Sequence, residues 1–243
     1  MAMGFASLGE HYAIDLPGAR AAFTTRHGGV STPPYDALNL GLATGDDPAR
    51  VRANRARLAV ELGVGFAYGR QVHGAGLLVA AAPNPPGEGP AVADAVVTAT
   101  PGVGVLVVTA DCLPIAIAGG GAVAIVHAGW MGLAGGVIAA GIAAVRELGS
   151  GGPLAAAIGP GAGPCCYEVG EELHARFAAY GPQVRRGRNL DLPLIARRQL
   201  EAAGVADIRA LGICTICADP ALFFSHRRDH GVTGRQAGVA WLT

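Results

Sequence analysis

The chain has 243 residues, 51% hydrophobic and 15% charged, and its 18 basic and 18 acidic side chains cancel to a formal net charge of zero. That apolar content excludes a disordered chain or a long coiled coil, and the balanced charge excludes the broad basic footprint of a nucleic-acid or anionic-membrane binder. No linker divides the sequence, so one domain over residues 1–243 is expected, and five cysteines, an odd number, fit reduced thiols better than a disulfide framework.

Met1 to Arg20 has no basic flank ahead of an apolar segment, and the longest apolar runs are interrupted by Asp111, Cys112 and His127. Neither a secretory signal nor a membrane span is expected, and the reading is cytoplasmic. A strand ending at Phe23 enters Thr24-Thr25-Arg26-His27-Gly28-Gly29-Val30-Ser31. Arg26 and the bare N–H groups at Gly28 and Gly29 can hold a phosphate, although an ordinary glycine turn reads the same way. Asn39, between Leu38 and Leu40, either orients a substrate group or caps a turn. Gly45-Asp46-Asp47-Pro48 marks a helix start, with Asp as N-cap and Pro at the first helical position.

Short β-branched runs then predict buried strands over Leu77–Ala81, Asp94–Thr98, Val103–Thr109, Pro114–Ala118 and Ala122–Val126. Gly119-Gly120-Gly121 signals a hairpin, and Asn84–Pro90, rich in proline and glycine, a surface loop. A helix over Leu133–Leu148 with a glycine stop follows, then a strand at Leu154–Ile158. Helices around Glu168–Ala179 and Leu192–Ala203 precede a strand near Ile208–Ile213. Hairpins and runs of strands mixed with later helices predict an α+β fold.

Cys165-Cys166 and Cys214-Thr215-Ile216-Cys217 offer four further thiols. Adjacent cysteines seldom reach one tetrahedral ion, and no convincing helix follows the second pair to depress a thiol. The sequence therefore counts against a Cys₄ zinc site and against a redox pair. Phe223–Asp229 sets Arg227 and Arg228 beside apolar anchors, with Gly234-Arg235 following, which reads by default as a solvated charged loop.

His73, Cys112 and His127 carry the strongest chemical signal. Far apart in the chain, they form no local metal motif, and a buried inert thiol is the bland reading of Cys112. Yet all three fall at strand ends beside Gly, Pro or Asp, where sites are built. Two neutral imidazoles and one thiolate make an open three-ligand set for a catalytic Zn²⁺. The same trio can also run metal-free cysteine chemistry. Asp111, beside Cys112, relays a proton or orients its neighbours.

In order, Thr24–Ser31, Leu38-Asn39-Leu40-Gly41, Gln71-Val72-His73-Gly74, Thr109-Ala110-Asp111-Cys112, His127-Ala128-Gly129-Trp130, Ile158-Gly159-Pro160, Tyr167-Glu168-Val169-Gly170 and Phe224-Ser225-His226-Arg227-Arg228 make a specific set. The chain resembles the bacterial laccase-domain or polyphenol oxidase family, also described as purine nucleoside phosphorylase-like or peptidoglycan editing factors. The resemblance implies a four-layer α/β/β/α sandwich of mixed sheets and a zinc ion on His73, Cys112 and His127. It also implies a substrate cavity faced by Arg26 and Asn39, and Gly28, Gly29 and Arg227 join them as candidate contacts. Two positions depart from the family pattern. Met131 stands where Arg usually follows His-Ala-Gly-Trp, and His226 where Tyr is common; methionine cannot replace a bidentate anion contact.

The leading function is a zinc enzyme acting on purine nucleosides and phosphate, by phosphorolysis of adenosine, inosine or methylthioadenosine and by hydrolytic deamination of adenosine. A cysteine hydrolase editing a peptidoglycan precursor is the second reading, with Cys112 as nucleophile. Polyphenol oxidation is the third, through copper in the same site, because the remaining histidines are too scattered for a trinuclear centre. A metal-stabilised binding module is the fourth, and the open ligand set counts against it.

Overall fold

The computed structural model describes residues 4–85 and 89–243. Strands β1 (Phe5–Leu8), β2 (His11–Leu16) and β3 (Ala19–Phe23) lead into helix α1 (Pro48–Leu62) and β4 (Gly65–Tyr68). Next come β5 (Leu77–Val79), β6 (Ala95–Thr98), β7 (Val103–Thr109), β8 (Leu113–Gly119) and β9 (Ala122–Ala128). Helices α2 (Trp130–Gly135) and α3 (Val137–Leu148) precede β10 (Ala155–Ile158) and α4 (Glu171–Phe177). The short pair β11 (Arg185–Arg186) and β12 (Asn189–Leu190), α5 (Leu192–Ala202), β13 (Asp207–Ala210) and β14 (Gln236–Leu242) complete the chain.

Two six-stranded mixed sheets, ordered β1-β2-β3-β14-β7-β4 and β13-β10-β8-β9-β6-β5, form the α+β body. Strand alternation explains how they stack. Along β8, Ala116 and Ala118 join Ala21, Phe23, Val105 and Val107 of the first sheet in one cluster, while Ile115 and Ile117 turn the other way, onto Ile138, Ile142, Ile195 and Leu200 of α3 and α5. On the far side, Leu58 and Leu62 of α1 pack on Leu106, Val239 and Trp241. Helices thus cover both outer faces and alanines line much of the inner one, which lets the sheets approach closely. This is the expected four-layer order.

Several elements match the sequence expectation for the expected reasons. Asp47 caps α1 by accepting from the Ala49 N–H, with Pro48 behind it. Gly120 and Gly121, at φ 59° and 82°, make the two-residue turn between β8 and β9. The helix expected over Leu133–Leu148 is instead two helices, because Gly136 adopts φ 83° and ends the first. The strand expected from Leu77 stops at Val79, the helix expected from Glu168 begins at Glu171, and the strand expected to Ile213 stops at Ala210. Of the Asn84–Pro90 loop, Pro86, Gly87 and Glu88 lie outside the described residues. Among the described residues no helix is long and apolar enough to cross a membrane.

One topological feature positions the site. The chain crosses between the two six-stranded sheets four times, returning once between β6 and β7, and the other three crossings, β4 to β5, β7 to β8 and β13 to β14, carry site residues. His73 lies on the first of these crossings, Asp111 and Cys112 on the second, and Arg227 and Arg235 on the third.

Candidate metal centre and cavity

The folded chain brings His73, Cys112 and His127 together, with one ligand atom from each lying within 4.8 Å of the others. The two imidazole rings meet edge to face at 4.8 Å between centroids. His127 is buried near the end of β9 and pairs across the ladder with Pro114. His73 and Asp111 both hold positive φ, 61° and 90°, a conformation that costs a non-glycine residue energy and is maintained only where the surroundings fix it. In each case it lies on a crossing between sheets.

The fixing group at His73 is Asp94, a fully buried carboxylate immediately before β6. Its Oδ2 accepts the backbone N–H groups of Val72 at 3.1 Å and Gly74 at 2.8 Å, and its Oδ1 that of His73 at 2.9 Å. Oδ1 also lies 2.8 Å from His127 Nδ1. An ionised carboxylate only accepts, so Nδ1 carries the proton and Nε2 keeps its lone pair for a metal. Burial works against the Asp94 charge, but the bonds from His127, Gly74 and Val72 outweigh it and hold the carboxyl below its ordinary value. Asp94 was not among the expected site residues. Its signal was an acid opening an otherwise apolar run.

Cys112 and His127 favour each other's charged forms. Burial opposes the Cys112 thiolate, yet the His127 charge and hydrogen bonds from both histidines bring the thiol down to about 6. Burial likewise opposes the His127 charge, yet the Cys112 thiolate and Asp94 raise it to about 9. The donor set suits a borderline-soft ion, and Gly129 keeps space for one. A Cβ at Gly129 would lie 2.8 Å from Cys112 Sγ and 3.3 Å from His73 Cδ2. Residues His73, Cys112 and His127 therefore fit a three-ligand metal site.

Asp111 is buried with both oxygens engaged: Oδ1 accepts the Thr215 hydroxyl at 2.7 Å and Oδ2 the Arg227 N–H at 2.7 Å. The trio, Asp111 and Arg227 line a cavity of about 600 Å³, within the range of small-molecule sites. Three more arginines line it. Arg55 stacks on Tyr68 and donates through Nε to Leu40 O, while its buried Nη1 has no partner among the described residues. Arg235 is anchored by Nη1 to Thr233 O and Gly234 O, and Arg70 is exposed. Trp130, Met131 and Tyr167 add to the wall.

The other expected substrate contacts lie elsewhere. Arg26 spends its guanidinium on Asp36 and on Pro220 O, stacks on Phe224, and with Gly28 lines a separate cavity of about 400 Å³. Gly29 packs against the Ala37 backbone. Asn39 is fully buried; its Nδ2 donates to Thr44 and Asp46, and its Oδ1 accepts the Gly41 and Arg235 N–H groups. Asn39 thus reaches the cavity only through its neighbours: the Gly41 and Arg235 backbone and the Thr44 hydroxyl, all three of which line the wall.

Residues 20–243 match the family described as multi-copper polyphenol oxidoreductase laccase. The chain belongs to this family. Among its laccase-family relatives, a purine nucleoside phosphorylase of Streptomyces coelicolor is 44% identical, over 93% of this chain and 96% of that protein. A purine nucleoside phosphorylase of Deinococcus radiodurans is also 44% identical, over 91% and 88%. Of solved structures, a Neisseria meningitidis protein is 36% identical with a TM-score of 0.85, covering 96% of this chain and 99% of that one. YlmD from Geobacillus stearothermophilus is 33% identical at the same TM-score, covering 100% and 99%. Against the family's copper label, the described residues of this laccase-family chain form two groups of candidate metal ligands. One is the trio and the other is all cysteine, so neither supplies the histidines of a trinuclear copper centre.

Proposed function

We propose that this chain is a purine nucleoside phosphorylase that also deaminates adenosine, working with a zinc ion held by His73, Cys112 and His127. The observation that carries this reading is the opening of a metal-competent trio and four arginines into one cavity. The printed names of the relatives support it.

In phosphorolysis of adenosine, inosine or methylthioadenosine, a phosphate oxygen attacks C1′ of the pentose as the bond to the purine nitrogen breaks. The purine takes the bonding pair and a proton, leaving a pentose 1-phosphate. The chain's task is to hold an anion against a nucleoside in a shielded cavity. Arg55, Arg70, Arg227 and Arg235 supply guanidinium donors suited to phosphate oxygens, so the cavity does not depend on an arginine at Met131. Trp130 and Tyr167 offer flat faces for a purine. Asp94 fixes the tautomer of His127 and the backbone of His73, and Asp111 positions the Arg227 backbone. When bound, zinc supplies Lewis-acid polarisation and activation of water. Copper is the competing occupant, since Cu²⁺ has the higher intrinsic affinity for such ligands, and it is the ion to which polyphenol oxidation belongs.

The Asp94–His127–Cys112 arrangement favours a second reading, a cysteine hydrolase acting on a peptidoglycan-precursor amide. Incubating the purified protein with adenosine, inosine and methylthioadenosine, with and without phosphate and chelator, separates the two. Free base formed only with phosphate, and inosine formed from adenosine without it, both lost on chelation and restored by zinc, are expected. Amide hydrolysis that survives chelation and disappears in Cys112→Ala supports the second reading instead.

A further inference from the structure

Four of the five cysteines lie outside the cavity site, and adjacent cysteines are not expected to converge on one ion. The structure corrects that expectation. Cys165 and Cys166, in the turn beyond β10, meet Cys214 and Cys217, in the turn beyond β13, with all four sulfurs within 4.8 Å of one another. Cys165 Sγ and Cys217 Sγ are 3.5 Å apart. The two turns are neighbours because β10 and β13 pair in parallel and the pairing continues through a Gly161–Cys214 bridge. Adjacent cysteines reach one centre here because a turn at residues 164–166 curls both toward the second pair.

We propose that Cys165, Cys166, Cys214 and Cys217 form a second, structural metal site that holds one thiophilic divalent cation, Zn²⁺, in a Cys₄ set. A Zn–S distance of about 2.3 Å sets a tetrahedral S···S edge of about 3.8 Å, close to the spacing already present. Iron–sulfur cages need their sulfurs spread around several metal atoms, so a single ion is the fit. The surroundings are also built for a thiolate. The Gly163 N–H donates to Cys214 Sγ at 3.2 Å. Backbone donors on a sulfur are what a metal-bound thiolate requires. Gly163 leaves room for this, since a Cβ there would lie 3.4 Å from both Cys165 Sγ and Cys214 Sγ.

The site has a structural consequence for the cavity. Thr215 lies inside the Cys214–Cys217 turn, fully buried, where its hydroxyl donates to Asp111 Oδ1 and its carbonyl accepts from Arg228 Nη1 at 3.0 Å. A metal fixing that turn fixes Thr215, and Thr215 holds Asp111 beside Cys112.

The inference does not depend on the reading of the cavity. Zinc per chain, measured on purified protein and on the Cys165→Ser/Cys217→Ser and His73→Ala/His127→Ala variants, tests it. The cysteine variant is expected to lose one ion relative to wild type and to keep whatever the cavity holds; the histidine variant is expected to keep the Cys₄ ion. Substitution with Co²⁺ is expected to give intense sulfur-to-metal absorption that persists in the histidine variant. An unchanged zinc count in the cysteine variant overturns the proposal. Should that variant fail to fold, wild type decides: four thiols unmasked together with release of one zinc by a mercurial support the site. An intact mass short by two hydrogens, with Cys165 and Cys217 joined, overturns it. If the cavity binds no metal, only the histidine variant's loss disappears, and the two claims part.

Discussion

Asp94 Oδ1 stands 2.8 Å from His127 Nδ1 while the same carboxylate gathers the N–H groups of Val72, His73 and Gly74. One buried acid thus sets the tautomer of one ligand and the strained backbone of another. Asp94→Asn keeps the shape but places an amide NH₂ against donors. The variant is expected to bind zinc about 10- to 100-fold more weakly and to melt at a lower temperature, because each stranded buried donor costs about 1–3 kcal/mol. Competition with a chromophoric chelator measures the first effect. Wild-type affinity in Asp94→Asn would sink this role.

Gly129 has ordinary extended angles, φ −78° and ψ 171°, so its lack of a side chain answers to space and not to backbone freedom. Gly129→Ala would put a methyl group 2.8 Å from Cys112 Sγ. It is expected to abolish metal binding in the cavity while the protein stays folded. Gly135→Ala, whose Cβ meets only Ala75 at 3.8 Å, serves as the neutral comparison by circular dichroism and metal titration.

The fold was legible where periodicity and turn chemistry are local. Asp47-Pro48 and Gly120-Gly121 mark a helix start and a hairpin by themselves. β4 and β14 escaped because their pairing partners lie far away in sequence. The ligand trio was legible from residue type and strand-end position, whereas Asp94 looked like the edge of an apolar run until β6 set it opposite His127. Arg26 and Asn39 carried polar groups in the right motifs, but the partners that engage them, Asp36, Pro220, Thr44 and Asp46, are visible only once the loops are packed. The four-cysteine cluster was missed for the same reason: β10 and β13 are adjacent only in the sheet.

Arg235 and Arg227 border the cavity from the crossing that also carries Thr215. If they take phosphate, Arg235→Gln is expected to raise the phosphate KM of nucleoside cleavage about tenfold or more, corresponding to one lost charge-assisted contact of about 1.5–3 kcal/mol. Phosphate-independent deamination of adenosine is expected to be less affected. Equal loss in both reactions would assign Arg235 a structural role.

Asp229 gives the pH dependence a definite sign. It accepts from Arg228 Nε at 2.8 Å and Nη2 at 2.9 Å, from the Thr233 hydroxyl and from the Ser225 N–H. Burial works against its charge, but Arg228 and the other donors prevail and hold Asp229 below the ordinary aspartate value. The unfolded chain then takes up this proton first as pH falls. The contribution is fully present above the unfolded value of about 3.9 and is lost as pH drops through the lower folded one. Asp229→Asn should therefore lower Tm at pH 7 and converge on wild type in acid. A constant difference across that range would contradict the assignment.

The central claim is that His73, Cys112 and His127 hold the ion on which nucleoside cleavage depends. Its most direct measurement is the rate of phosphate-dependent hypoxanthine release from inosine by protein stripped of metal and titrated back with zinc, beside His127→Ala treated identically. The account predicts no release from stripped protein, recovery on adding zinc, and no recovery in His127→Ala. Full activity in the stripped protein, or zinc-restored activity in the variant, would contradict it.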